Sequence, residues 1–84
     1  MPDSAAPIRV LIAEDDLPAR ALLTEVLATL GHVVVAEVAS GRDAVTQAAA
    51  VKPDVVLLDV HMPDATGIQA ATEIAAALPE TAVV

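Results

Sequence analysis

Ile8-Arg9-Val10-Leu11-Ile12-Ala13-Glu14-Asp15-Asp16 decides the fold: an apolar run that ends abruptly in three acids. Four or more aliphatic residues closed by a carboxylate read as a buried strand that presents the acid at its C-terminal end. The same design returns at Val55-Val56-Leu57-Leu58-Asp59. In an open parallel α/β sheet, ligand chemistry lies outside the carboxyl ends of the strands, where the strand order reverses. If the first and third strands are neighbours, Glu14, Asp15 and Asp59 converge, and a cation is the natural way to offset their repulsion.

Between these strands the pattern is helical. Pro18 suits the first turn of a helix, where its missing N–H costs nothing. Leu23, Val26, Leu27 and Leu30 follow at i, i+3, i+4, i+7 spacing and are expected to face the core. Gly31 is placed to end that helix, with His32 in the loop beyond. Val33–Val38 is β-branched and reads as the second strand, and Arg9 is expected to face outward at the start of the first. Ser40-Gly41 opens a second helix with Ala44, Val45 and Ala48 inward, stopped at Lys52-Pro53. Val55–Leu58 is continuously apolar, as in a strand covered on both faces. Met62-Pro63-Asp64 forms a loop. Gly67 introduces a third helix with Ala71, Ile74, Ala75 and Leu78 inward, and Thr81–Val84 begins a fourth strand. The order β-α-β-α-β-α-β implies a parallel sheet with helices on both faces. Residues 1–7, with two prolines and no apolar period, read as a disordered leader.

The bulk numbers narrow the function. The chain has 84 residues, 56% of them apolar and none aromatic, so one small domain with an aliphatic core is expected. Its net charge of -8 argues against direct contact with nucleic acid or an anionic membrane. Cysteine is absent, which removes disulfides and thiolate metal sites from consideration. The start carries no basic-then-apolar signal, so a cytoplasmic protein is expected.

The combination VLIAEDD, then DVVLLDVHMP, then a Gly-led helix resembles the receiver domain of bacterial two-component response regulators. The resemblance runs from Ile8 to Val84 and implies the flavodoxin-like doubly wound α/β fold. On length, residues 8–84 correspond to about the first two-thirds of a receiver, a domain of the common ~100–150-residue size. The resemblance implies that Asp59 is the phosphoacceptor, that Asp15 is a direct ligand of Mg²⁺ (or Mn²⁺), and that Glu14 is a weaker or water-mediated one. It further implies that Asp59 itself and the backbone carbonyl of His61 complete the protein ligands of the metal. A sensor histidine kinase would be the donor, and an output domain or effector outside this chain the recipient of the signal. Such a protein accepts a phosphoryl group and is not a turnover enzyme. The family's Ser or Thr at the end of the fourth strand and its Lys after the fifth both fall beyond Val84, and Arg9, Arg20, Arg42 and Lys52 do not match that Lys.

Each residue also has a plainer role. Asp59 alone could cap a turn, Asp16 is better placed to cap the first helix than to bind metal, and Met62 packs. The sequence also admits two other functions. One is a non-catalytic cation-binding or self-associating module, a homo-oligomer joined through its last strand or helix faces. The other is an Asp-nucleophile phosphohydrolase, disfavoured because His61 stands where such a site carries a second acid. An incomplete sheet would also make the chain non-monomeric or marginally folded.

Overall fold

The computed structural model describes residues 7–59 and 67–84. Seven elements alternate: β1 (Arg9–Ala13), α1 (Leu17–Thr29), β2 (Val33–Val38), α2 (Gly41–Val51), β3 (Val55–Leu58), α3 (Gly67–Ala77) and β4 (Ala82–Val83). The strands form one parallel sheet in the order β2-β1-β3-β4. β1 and β3 are therefore neighbours, and the chain turns outward to opposite sides from β1. That is the reversal at which an open α/β sheet has its crevice. The expected leader lies outside the described residues apart from Pro7, and so does the Met62-Pro63-Asp64 loop.

Local chemistry sets the helix ends where the sequence places them. Asp16 caps α1 by accepting a 3.0 Å hydrogen bond from the Ala19 N–H, with Pro18 in the first turn. Past its other end Gly31 sits at φ 87°, a left-handed conformation that glycine adopts without a Cβ penalty. Ser40 caps α2 through the Asp43 N–H at 3.1 Å. Lys52 closes α2 at φ 48°, and the extra strain of a non-glycine residue there is supported by Arg9. The Arg9 guanidinium donates to the carbonyls of Val51 and Lys52, each at 2.7 Å, satisfying two of the helix's last acceptors. Arg9 is thus exposed, as its sequence position suggested, yet its head group is a C-terminal cap.

Burial is uneven between the two faces. Leu11, Ala13, Val38, Val56, Ala44, Ala48 and Ile74 form the core, packed between the sheet and the α2–α3 pair. The opposite face carries α1, which packs on β1 and β2. The expected stripe on α1 is not core: Leu23 and Leu27 are half-buried, while Val26 and Leu30 are 46% and 65% exposed. A helix that lies alone over one half of a sheet can bury only the narrow line of contact. The same cause corrects the reading of β3 on the α1 side, where Val55 and Leu57 are only half-buried; on the other side Val56 is buried and Leu58, also half-buried, packs at the margin of the core. In α3 the buried line is Gly67, Ala70 and Ile74, with Ala71 and Leu78 half-buried and Ala75 exposed, one position off the expected phase.

Candidate metal and phosphoacceptor site

The sheet ladder continues just past β1 and β3 and fixes the backbone that carries the acids. The Asp59 N–H donates to the Ala13 carbonyl at 3.0 Å, and the Glu14 N–H to the Val38 carbonyl at 3.0 Å. Each acid is therefore held as the next residue of its strand, at the carboxyl edge of the β1–β3 pair. The carboxylates of Glu14, Asp15 and Asp59 each offer an oxygen within 4.8 Å of the other two. Glu14 and Asp59 are half-buried and Asp15 is exposed. The crevice below them is apolar, lined by Ala13, Leu57 and Leu58, with Leu23 of α1 at its side.

Electrostatics record the crowding on Glu14. The Asp16 N–H, 3.1 Å from Glu14 Oε2, favours the charged form. Desolvation, the nearby charge of Asp59, and hydrogen bonds from its protonated form to Asp59 and Asp15 together outweigh that donor. The net result is a carboxyl raised above the ordinary glutamate value. A divalent cation with oxygen preference relieves this repulsion, and a set of carboxylate oxygens suits Mg²⁺ or Mn²⁺ rather than a thiophilic or imidazole-seeking metal. The donor set present fits such an ion.

The structure thus brings together three of the four expected site residues: Glu14, Asp15 and Asp59. The fourth, the carbonyl of His61, lies outside the described residues. Asp16 is a helix cap, as its position suggested. Arg20 is the residue that sequence reasoning missed. Its Nη1 donates to the Glu14 carbonyl at 2.9 Å, and its Nε lies 3.7 Å from Glu37 Oε1 on β2. The available signal was its place four residues past the Asp16 cap, where a long side chain reaches back over the first turn.

Known proteins match this arrangement over nearly the whole chain. The PdtaR transcriptional regulatory protein of Mycobacterium tuberculosis is 49% identical over 73 residues, covering 87% of this chain and 36% of that relative. The chain thus spans about a third of that relative's length. Among solved structures, CheY in the CheX-CheY-BeF3-Mg complex of Borrelia burgdorferi superposes with a TM-score of 0.88 at 28% identity, covering 92% of this chain and 59% of that one. The response regulator domain of Thermotoga maritima CheB gives 0.84 at 33% identity, covering 93% and 58%. Residues 10–84 match the response regulator receiver domain, and the chain belongs to that family.

Proposed function

We propose that Asp59 accepts a phosphoryl group from a phosphohistidine of a sensor histidine kinase, in a reaction that depends on Mg²⁺ or Mn²⁺ held by Asp15, Glu14 and the His61 carbonyl. The observation that carries this is the convergence of Glu14, Asp15 and Asp59 at the carboxyl edge of adjacent strands, in a chain whose family members are phosphoacceptors. A carboxylate oxygen of Asp59 attacks phosphorus, the donor's N–P bond breaks, and the leaving imidazole takes up a proton from solvent. The product is an acyl phosphate on Asp59. When bound, the cation neutralises charge on the transferring phosphoryl oxygens, the main form of catalysis such a transfer needs.

The chain's own residues do the rest. The Asp59 N–H is tied to β1 and fixes the start of the acceptor's side chain. Ala13, Leu57 and Leu58 close the site from below. Asp15, the exposed member, faces incoming ligand. The response then passes to an output domain or effector outside this chain, in the cytoplasm.

Intact mass after incubation with Mg²⁺ and a small acyl phosphate tests the reading. One phosphoryl adduct, absent without Mg²⁺ and absent in Asp59→Asn, is expected. No adduct on a folded sample, or an adduct that persists in Asp59→Asn, overturns it.

A further inference from the structure

We infer that Arg20 is a positioning residue for the cation site, acting through the peptide unit that joins Glu14 to Asp15. This rests on the proposed use of Glu14 and Asp15 as cation ligands. Both main-chain polar groups of Glu14 are held. Its N–H is tied to Val38 on β2, and its carbonyl accepts from Arg20 Nη1 at 2.9 Å. That carbonyl belongs to a planar unit whose other end is the Asp15 N–H and Cα. Fixing the oxygen therefore fixes the direction in which Asp15 leaves the strand.

The guanidinium is well placed to do this. It is 18% exposed, comes from the second turn of α1, and its Nε lies 3.7 Å from Glu37 on β2. One rigid fork thus spans the end of β1, the helix that follows and the neighbouring strand. Lysine offers a single flexible ammonium and would keep the charge without the fork. The pair with Glu37 is half-exposed and adds little energy by itself; the contact with the carbonyl is the one that positions.

A purely electrostatic role makes the opposite forecast. A cation beside the acids repels an incoming divalent ion, so removing it would tighten metal binding. If position dominates, removing it weakens binding even though a repulsive charge is gone. The sign of the change separates the two.

Mn²⁺ binding to the 84-residue chain, measured by electron paramagnetic resonance, reads that sign. Arg20→Met is expected to weaken Mn²⁺ binding by about tenfold, the lower range for residues that orient metal ligands. Arg20→Lys should weaken it less, and Glu37→Gln should leave it nearly unchanged. A metal-free readout accompanies these: the Asp15 amide resonance should shift in both Arg20 variants. Unchanged or tighter Mn²⁺ binding in Arg20→Met overturns the inference, as does weakening that merely tracks the folded fraction in urea. If Arg20→Met does not fold, equal binding by Arg20→Lys and Glu37→Gln overturns it instead. Asp15→Asn is the control. If it binds Mn²⁺ normally, the cation-site reading itself falls, whatever Arg20 does.

Discussion

The two ends of the β-sheet are built on opposite principles. At the amino ends, polar groups are matched. Arg9 N–H donates to Asp54 Oδ2 at 2.8 Å, the Asp54 N–H returns to the Arg9 carbonyl at 2.8 Å, and the Arg9 guanidinium caps α2. Thr81 Oγ1 donates to the Pro53 carbonyl at 2.7 Å, and the Ile8 N–H to His32 Nδ1 at 3.2 Å. At the carboxyl ends, three carboxylates crowd within 4.8 Å, and Glu14 is raised by desolvation together with its acidic neighbours, against the lowering effect of the Asp16 N–H. One end is closed by matched bonds and the other is left tense with like charge. If stability and the proposed cation binding are divided along the strand axis, substitutions at the two ends should separate them.

The largest effect is expected at the tense end, and on function alone. Asp15→Asn should weaken Mn²⁺ binding by well over tenfold while leaving the urea midpoint of the metal-free protein unchanged or higher, because it removes a like charge. A clear loss of metal-free stability would break the contrast, since Asp15 would then be holding the fold. At the matched end the pattern reverses. Arg9→Met should cost about 2 kcal/mol, from two charge-assisted bonds to carbonyls at the end of α2. Mn²⁺ affinity should stay the same, since Arg9 stands at the far end of β1. Urea unfolding and Mn²⁺ titration of the same sample check both halves.

Asp16→Ala lies between these extremes and sharpens the boundary. Its carboxylate caps α1 while its N–H donates to Glu14. The substitution should cost about 1 kcal/mol, the usual value of an N-cap. The backbone donor to Glu14 survives, so Mn²⁺ binding should change little. A loss of affinity comparable to that of Asp15→Asn would make Asp16 a ligand rather than a cap.

The tense end was the more legible of the two in the sequence. A strand of aliphatic residues closed by acids needs no tertiary information to be read, and the flanking caps Asp16 and Ser40 are local signals. The matched end was hidden because its side-chain bonds join residues far apart in sequence, those of Arg9 with Asp54, Val51 and Lys52 spanning more than 40 positions. Nothing in the neighbourhood of Arg9 announces a helix cap donated from another element. Arg20 was legible only in part: its contact with the Glu14 carbonyl is local, while its second neighbour, Glu37, lies on β2. The burial of α1 was misread because periodicity shows which side of a helix is apolar, while burial depends on how much surface packs against it. Val26 and Leu30 are in phase and still exposed.

The smallest effect expected is the pH dependence of the metal-free protein, and its sign follows from Glu14. A carboxyl whose folded value is raised holds its proton more tightly in the folded state than in the unfolded one. The folded protein then carries the extra proton between the ordinary glutamate range and the raised value. Stability from this group is greatest below that ordinary range and declines as pH rises through the raised value. Most carboxylates that gain a partner on folding have the opposite slope. Glu14→Gln should remove the decline, and saturating Mg²⁺ should reverse it, because a cation favours the charged form that repulsion disfavours. Urea midpoints between pH 4 and pH 7, with and without Mg²⁺, would show it. A metal-free midpoint that rises steadily across that window in the wild-type chain, and equally in Glu14→Gln, would mean that crowding at the carboxyl ends exerts no hold on the fold.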